Sequence, residues 1–262
     1  MKYKLFLLFL LSLFTARSTH AQAFDAYQKK VLVQGPDTLP YRLLLPVDFD
    51  ASKKYPLVLF LHGSGERGRD NEAQLTHGGK LFLNDTARKS FPAIVVFPQC
   101  PPDLRWANVQ VIEDSSAGKR TFNFQEGGAP TRPMAMLENL LEDLQRQYRI
   151  KQDQVYVMGL SMGGMGTFEL ARRHPDLFAA AIPICGGAAP ATASQLKRIH
   201  WWVFHGGKDD VVLPHYSEDM VNALKAQGAP VKFTVYPEAG HNSWDSAFAE
   251  PQLLPWLFAQ HK

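Results

Sequence analysis

A predicted strand, a glycine-rich turn and a predicted helix follow one another around Ser161. Residues 155–158 are β-branched, aromatic or apolar, as in a buried strand, and apolar residues at helical spacing follow the turn. The turn reads Gly-Leu-Ser-Met-Gly, so Gly159 and Gly163 flank the serine. Glycines there avoid clashes beside a serine whose backbone is sharply turned and strained. The pattern predicts a nucleophilic Ser161 between a strand and a helix.

Two other interpretations of this turn have to be weighed. Ser161 can be an ordinary N-cap, because serine is a preferred residue at the start of a helix. The turn also partly matches a dinucleotide-binding loop, but Ser161 stands where that motif needs its second glycine. The candidate partners of the serine, described below, favour the nucleophile over both alternatives.

Strands and helices alternate along most of the chain. The predicted strands are residues 27–33, 39–45, 57–61, 93–97, 155–158, 179–184, 201–204 and 231–236. The predicted helices are residues 133–148, a helix after Ser161, residues 214–227, and residues 245–260 with Pro251 and Pro255 breaking or kinking the last one. The first two strands are expected to pair antiparallel. The expected fold class is α/β, with a doubly wound, mostly parallel eight-stranded sheet and helices on both faces.

Residues 1–23 have the composition of a secretory signal peptide. Lysines precede an apolar run too short to span a bilayer, and cleavage is expected after Ala21 or Ala23. An uncleaved anchor helix is the alternative. Cleavage would leave residues 24–262 as one domain, secreted or periplasmic. The segment carries three basic and no acidic residues, so its loss lowers the formal charge from +3 to zero, which gives no reason to expect nucleic acid or an anionic membrane as partner.

Residues 104–131 form a long stretch without a clear period. It contains Trp106, Phe122, Phe124 and several glycines. Stretches of this length are often lids or substrate walls, and a surface excursion with a small hairpin is the alternative.

The two cysteines, Cys100 and Cys185, each follow a predicted strand. In the expected sheet two other strands separate theirs, about 14 Å at ~4.8 Å per strand, whereas a disulfide needs Cα atoms within ~7 Å. We therefore expect free thiols. No metal and no cofactor are expected, because the acidic residues near His77 lack convincing ligand spacing.

Candidate partners of the serine follow the last strands. A serine hydroxyl is a strong nucleophile only when a base accepts its proton and an acid orients that base. His241 comes between the last strand and the last helix and is the expected base. The preceding strand is followed by Asp209 and Asp210, and either can orient the imidazole, unless both merely cap the loop. His205, at the end of that strand, is expected to pack in the interior.

A tetrahedral oxyanion needs two N–H donors. Met162, directly after the serine, supplies one by position, and the loop of residues 62–65 is expected to supply the other. This loop lacks the Lys-Ser/Thr pair of a phosphate-binding loop, which excludes that interpretation. Glu66 and Arg67 are expected to pair and hold the loop, and a grip on a substrate carboxylate is the alternative.

Five motifs together resemble the α/β-hydrolase superfamily over nearly all of residues 24–262. They are Leu-His-Gly-Ser-Gly-Glu-Arg-Gly at 61–68, Phe-Pro-Gln-Cys-Pro at 97–101, Gly-Leu-Ser-Met-Gly-Gly at 159–164, His-Gly-Gly-Lys-Asp at 205–209 and Gly-His-Asn-Ser-Trp at 240–244. Within the superfamily they look like carbohydrate esterase family one, which includes feruloyl and acetylxylan esterases and is related to polyhydroxybutyrate depolymerases and dienelactone hydrolases. The resemblance implies Asp209 as the acid and the N–H of Ser64 as the second oxyanion donor. Trp106 and Trp244 are expected to be walls for an aromatic or sugar ring.

The sequence as a whole predicts a secreted serine carboxylesterase with Ser161, His241 and Asp209 as its triad and Ser64 and Met162 as its oxyanion hole. The resemblance implies feruloyl or acetyl esters of plant polysaccharide, so the expected partner is a small-molecule or polysaccharide-linked ester, with no membrane partner after signal removal. A serine peptidase of the prolyl-oligopeptidase type is one alternative, although such enzymes usually carry a large additional domain. A non-catalytic carbohydrate-binding relative is the other, although it would not need all three side chains.

Overall fold

An eight-stranded sheet forms the centre of the computed structural model, which describes residues 24–114 and 119–262. The strands are β1 (Tyr27–Gln34), β2 (Asp37–Leu44), β3 (Tyr55–Leu61), β4 (Ile94–Pro98), β5 (Val109–Asp114), β6 (Lys119–Phe124), β7 (Ile150–Leu160), β8 (Ala180–Ile184), β9 (His200–Gly206) and β10 (Val231–Tyr236). The order in the large sheet is β1-β2-β4-β3-β7-β8-β9-β10, and β5 and β6 form a separate pair. The pairs β1–β2 and β2–β4 are antiparallel, and the others in the large sheet are parallel. The predicted fold class and the antiparallel opening pair are therefore confirmed.

Two hydrophobic cores lie on opposite faces of this sheet. Alternate residues of β3 separate between them, with Leu57 and Leu59 in one core and Val58 and Phe60 in the other. This is the period of two that a strand covered on both faces requires. Each core is completed by helices, so the apolar run of β3 is buried from both sides.

The helices cover both faces. They are α1 (Asp85–Ser90), α2 (Arg132–Gln147), α3 (Met162–Arg173), α4 (His215–Ala226), α5 (Trp244–Phe248) and α6 (Leu253–Phe258), with short 3₁₀ helices at Ser64–Glu66, Ala73–Leu75, Gly79–Phe82 and Pro190–Gln195. Helices α2, α3 and α4 contribute to the core that contains Leu57, and α5 and α6 to the core that contains Val58. The predicted break near Pro251 separates α5 from α6, because proline has no N–H for a helical hydrogen bond. The 3₁₀ helices and α1 are too short to produce a period in the sequence.

Residues 104–131 contain a hairpin, made by β5 and β6, as one of the two sequence interpretations expected. Its inner face packs on the molecule through Phe122, which lies with Met165 and Val212 in a small third hydrophobic cluster. The amide of Phe122 also donates to the hydroxyl of Tyr216 in α4, at 3.0 Å. The hairpin is thus attached to the first turn of α3, the helix that directly follows Ser161.

The two cysteines are free and buried, as predicted. Cys100 belongs to the core that contains Leu57 and Cys185 to the core that contains Val58, so the sheet separates them. The expected signal peptide, residues 1–23, lies outside the described residues. Within the described residues no helix combines the length and the apolar character that a membrane span requires.

Candidate active site

The backbone of Ser161 is held in an unusual conformation at the end of β7. Its φ is +54° and its ψ is −117°, a backbone region that residues other than glycine rarely occupy. The glycines around it are required by close packing. A Cβ on Gly159 would lie 2.5 Å from the carbonyl oxygen of Gly163, and one on Gly163 would lie 1.9 Å from that of Leu61. The strained turn is therefore fixed by strand β3 and the start of α3.

Three side chains from three strand ends form one hydrogen-bonded relay. Ser161 Oγ lies 2.9 Å from His241 Nε2, and His241 Nδ1 lies 2.8 Å from Asp209 Oδ2. Ser161 follows β7, Asp209 follows β9 and His241 follows β10. The carboxyl ends of parallel strands meet at one edge of the sheet, which is why residues so distant in sequence come together.

Asp209, and not Asp210, contacts the imidazole. Its Oδ1 accepts from the amides of Val211 and Val212, both at 3.0 Å, and its side chain is fully buried. Burial alone would raise the pKa of Asp209, but hydrogen bonds from His205 and His241, the charge of His241 and the amide of Val212 hold it below the usual range. Asp209 is therefore an ionised carboxylate that can stabilise a protonated His241.

A second histidine contacts the same carboxylate. His205 Nε2 lies 3.2 Å from Asp209 Oδ2 and 2.8 Å from the carbonyl oxygen of Val212, and its Nδ1 lies 2.7 Å from Ser217 Oγ. His205 is fully buried, as the sequence predicted, but its contact with Asp209 was not anticipated. Its place at the start of the His-Gly-Gly-Lys-Asp motif, four residues before Asp209, is the signal that could have suggested it.

The two expected oxyanion donors lie beside the serine. Met162 is the first residue of α3, so its amide has no acceptor within the helix. The loop that carries Ser64 touches the serine from the other side, because a Cβ on Gly63 would lie 3.6 Å from Ser161 Cβ. Both Ser64 and Met162 line one cleft with Ser161 and His241. The arrangement can present two N–H groups to an oxygen next to the serine.

A neutral buried histidine fixes this loop. The ring of His62 accepts from the amide of Cys100 through Nε2, at 2.9 Å, and its Nδ1 lies 2.6 Å from the carbonyl oxygen of Gly63. Nδ1 must therefore carry the proton. Burial lowers the pKa of His62 to about 4, which keeps the ring uncharged near neutral pH.

The cleft above the serine has a volume of about 220 Å³. Besides Ser64, Ser161, Met162 and His241 it is lined by Arg67, Arg105, Val111, Glu113, Arg120, Phe122, Met165, Val211 and Val212. Four of these residues belong to the β5–β6 hairpin, which therefore forms one wall. The sequence prediction of a substrate wall within residues 104–131 is consistent with this position, although Trp106 is not the residue that provides it.

The expected role of Trp106 as a substrate wall is wrong. Its side chain is 0% exposed, its Nε1 donates to the carbonyl oxygen of His62 at 3.1 Å, and a Cβ on Gly166 would lie 2.6 Å from its own Cβ. Trp106 is thus a packing residue beneath the start of α3. Trp244 lies elsewhere, with its ring edge-on to His241 at 5.3 Å, so it contacts the base itself.

The expected Glu66–Arg67 pair does not form. Glu66 is buried and its Oε1 lies 3.6 Å from His77 Nε2, whereas Arg67 Nε donates to the carbonyl oxygen of Ser64 at 2.8 Å.

One group of potential metal ligands lies at the site. Cys185, Asp209 and His241 place ligand atoms within 4.8 Å of one another. Burial and the charge of Asp209 raise the pKa of the Cys185 thiol, whereas metal binding needs a thiolate, and the facing atoms of Asp209 and His241 already bond each other. The donor set does not fit a metal ion.

The sheet, the strained turn after β7 and the three strand-end side chains define an α/β-hydrolase. More narrowly, the chain belongs to the dienelactone hydrolase family, whose sequence profile matches residues 106–252.

Two curated proteins are similar in sequence. Poly(3-hydroxyalkanoate) depolymerase C of Paucimonas lemoignei is 27% identical over 205 residues, which cover 69% of this chain and 45% of that protein. The bifunctional acetylxylan esterase/xylanase of Neocallimastix patriciarum is 26% identical over 158 residues, which cover 60% of this chain and 20% of that protein. The chain therefore spans less than half the length of either relative.

Two solved structures are similar in fold. A thermostable esterase superposes with a TM-score of 0.81 at 32% identity, over 92% of this chain and 64% of that one. A ferulic acid esterase superposes with a TM-score of 0.65 at 20% identity, over 88% of this chain and 97% of that one.

Proposed function

We propose that this protein is a serine carboxylesterase whose nucleophile is Ser161. The observation that carries the proposal is the relay Ser161–His241–Asp209, with heavy-atom distances of 2.9 and 2.8 Å, at a serine with positive φ. A serine that only capped α3 would need neither a base at hydrogen-bonding distance nor a buried carboxylate behind that base.

The relay supports a two-step hydrolysis. Ser161 Oγ attacks the ester carbonyl carbon while His241 Nε2 takes the hydroxyl proton, and Asp209 stabilises the imidazolium that forms. The tetrahedral intermediate collapses, the C–O bond to the alcohol breaks, and His241 gives its proton to the leaving oxygen. Water then attacks the acyl-enzyme with His241 again as base, which releases the carboxylic acid and restores the serine.

The amides of Ser64 and Met162 stabilise the oxyanion in both steps. These two N–H groups belong to the backbone, so a side-chain substitution at Ser64 or Met162 does not remove them. Their positions depend on the loop that His62 fixes and on the first turn of α3. Removing one such donor typically costs about 10²–10³ in rate, so the loop geometry contributes a substantial part of catalysis.

Feruloyl or acetyl esters attached to plant polysaccharide are the proposed substrates. The similarity of this chain to an acetylxylan esterase/xylanase and to a ferulic acid esterase supports this class. The hairpin wall with Val111 and Phe122 gives the cleft an apolar side that suits an acyl group. Residues 104–131, which contain this hairpin, act as the substrate wall of a single catalytic domain, residues 24–262.

Hydrolysis of a short ester panel tests the proposal. We expect turnover of at least one of p-nitrophenyl acetate, methyl ferulate and acetylated xylan, and loss of about 10⁶-fold in kcat for Ser161→Ala. Adding His241→Ala to that variant is expected to cost little more, because the two residues act as a unit. Substantial esterase activity in Ser161→Ala would disprove the assignment.

The same panel separates the other functions. A chromogenic peptide amide that is cleaved better than the esters would indicate a peptidase, and binding of xylan without any acylation would indicate a carbohydrate-binding relative.

Secretion is tested by sequencing the N-terminus of protein recovered after expression of the full chain. We expect mature protein to begin at Gln22 or Phe24.

A further inference from the structure

The cleft that contains Ser161 is positively charged. Three arginines, Arg67, Arg105 and Arg120, line it together with a single acidic residue, Glu113. The mechanism proposed above uses none of these four side chains. Charged groups placed beside a reacting centre indicate the charge of the molecule that the site receives.

One of the three arginines is neutralised within the protein. Arg120 and Glu113 are direct cross-strand neighbours in the β5–β6 hairpin, and Arg120 Nε lies 3.2 Å from Glu113 Oε1. Both side chains are more than half exposed, so this is an ordinary surface ion pair of the hairpin. The charge that remains in the cleft comes from Arg67 and Arg105.

Arg67 has no carboxylate partner among the described residues. Its Nε donates to the carbonyl oxygen of Ser64 at 2.8 Å, which holds the guanidinium next to the expected oxyanion donor. The neighbouring Glu66 points to His77 instead, with 3.6 Å between Oε1 and Nε2. Arg67 lines the cleft, and within the described residues its two terminal nitrogens make no hydrogen bond or ion pair.

Arg105 is half-buried, and its side chain also has no carboxylate partner in the part of the chain that the structure describes. Its backbone is fixed, because Thr131 Oγ1 donates to the carbonyl oxygen of Arg105 at 3.0 Å. Burial raises the pKa of the Cys100 thiol to about 12, and the charges of Arg67 and Arg105 both act against that rise. Arg105 and Arg67 line the same cleft, together with Ser161 and His241.

We propose that Arg67 and Arg105 form an anion subsite that binds a carboxylate carried by the ester substrate. The inference rests on the proposed esterase function and names the charge of its substrate. Two arginines without a carboxylate partner line one cleft, and a bound carboxylate supplies the opposite charge that the described residues do not. The planar guanidinium fork also matches the two oxygens of a carboxylate. The carboxylate can belong to the acyl part or to the alcohol part, and recognition by the two arginines is the same in both cases.

Two matched substrate pairs test the subsite in the wild-type protein. One pair is the 4-nitrophenyl monoester of adipic acid and its terminal amide, which differ in charge on the acyl side. The other pair is 4-acetoxybenzoate and 4-acetoxybenzamide, which differ on the alcohol side. For each ester, kcat/KM is divided by the rate constant of its reaction with hydroxide, which removes differences in intrinsic reactivity. We expect this corrected value to be about ten- to hundred-fold higher for the ester that carries the carboxylate in at least one pair. The preference is expected to fall as salt is added.

Substitutions then assign the preference to the two arginines. In Arg67→Gln and Arg105→Gln the acid-to-amide ratio is expected to fall towards one, and the ratio is insensitive to any general loss of activity. Arg198→Gln is the matched control, because Arg198 is an exposed arginine paired with Asp176, outside the cleft. Its ratio is expected to stay at the wild-type value.

The possible failures are distinguishable. If the neutral, amide-bearing esters are hydrolysed and neither carboxylate-bearing ester is preferred, the subsite is overturned and the esterase function stays intact. A preference that survives in both arginine variants would also overturn it. If none of the four esters is hydrolysed by the wild-type protein, the esterase function itself fails, and the subsite fails with it.

Discussion

At the scale of single residues, the site depends on two positions where the backbone or the burial is unusual. Ser161 has positive φ at the end of β7, and Asp209 is a carboxylate without solvent exposure. Both conditions raise the free energy of the folded state unless the surrounding contacts compensate for them. Here the close approach of Leu61 and Gly163 imposes the first, and hydrogen bonds from two histidines and two amides compensate the second.

The acid of the relay can be identified by exchanging each of the two neighbouring aspartates. Asp209→Asn is expected to lower kcat by about 10³–10⁴-fold, because an amide cannot stabilise the imidazolium and favours the wrong tautomer. Asp210→Asn is the matched control, since Asp210 is exposed and does not contact His241. Its kcat should stay within about threefold of the wild-type value. Equal losses in the two variants would contradict the assignment.

The glycines of the turn offer a second residue-scale prediction. Gly163→Ala places a Cβ 1.9 Å from the carbonyl oxygen of Leu61, so β3 and α3 must move apart. We expect unfolding free energy to fall by about 3 kcal/mol and esterase activity to be lost. Gly65→Ala is the control, because no heavy atom lies within 4 Å of its added Cβ. Urea denaturation of both variants measures the difference, and two equally stable variants would disprove the packing argument.

Much of this could be predicted residue by residue from the sequence. The strained serine was predictable because its cause is local, a glycine on either side between a strand and a helix. The residues alone left Asp209 and Asp210 open, because two neighbouring loop residues have the same chemistry, and only the resemblance of the His-Gly-Gly-Lys-Asp motif favoured Asp209, which is the one that contacts His241. Trp106 was misassigned since its burial comes from contacts with His62 and Gly166, which are distant in sequence.

At the scale of elements, the β5–β6 hairpin connects the cleft to the fold. Phe122 packs with Met165 and Val212 and lies 5.6 Å, edge-on, from the ring of Tyr216 in α4. The ring of Phe124 stacks beside the ring of Phe122, with 6.3 Å between the ring centroids. A single patch of contacts therefore determines how closely the wall approaches Ser161. No period in residues 104–131 could predict this, because the contacts join the hairpin to α3 and α4.

Removing that contact should affect substrate binding more than stability. Phe122→Ala is expected to raise KM several-fold for an aromatic ester, because the wall loses its anchor on α3 and α4. Ile112→Ala is the control on the same hairpin, since Ile112 is 47% exposed and does not line the cleft. Its KM should stay at the wild-type value. Steady-state kinetics with methyl ferulate or p-nitrophenyl acetate measure both, and equal KM values would argue against the hairpin as a wall.

The strands were more predictable than the helices. Most strands of the large sheet contain an apolar run, so their number and direction followed from the sequence. The start of β7 at Ile150 did not, because residues 151–154 are polar. The helix boundaries in the segment after His241 were harder to predict. Its apolar residues run from α5 into α6 across Pro251, and only the backbone chemistry of proline indicated the interruption.

At the scale of the whole molecule, stability should depend on pH through His62. Its pKa is lowered from 6.5 to about 4 in the folded state, so the unfolded state binds more protons between these values. The contribution is complete above pH 6.5 and is lost as the pH falls to about 4, a change of about 3 kcal/mol in unfolding free energy. Urea midpoints at pH 7, 5.5 and 4.5 measure the loss.

His62→Gln serves as the control for this pH dependence. Glutamine can also donate to a carbonyl and accept from an amide, but it does not titrate. We expect the variant to be less stable at pH 7 and to lose less stability between pH 7 and 4.5 than the wild-type protein. An unchanged slope would show that other groups account for the acid sensitivity.

The distribution of the site along the chain also has a consequence for synthesis. The ribosome makes Ser64, Ser161 and Asp209 in that order, and His241 comes last, after strand β10. A nascent chain that ends at residue 206 has already made nine strands, yet its serine has no base and no acid. Under the proposed mechanism, such a chain is expected not to hydrolyse an ester while it is still being translated. We therefore expect ester hydrolysis to begin only when β10 and the loop that carries His241 are in place, and truncated translation products to lack it.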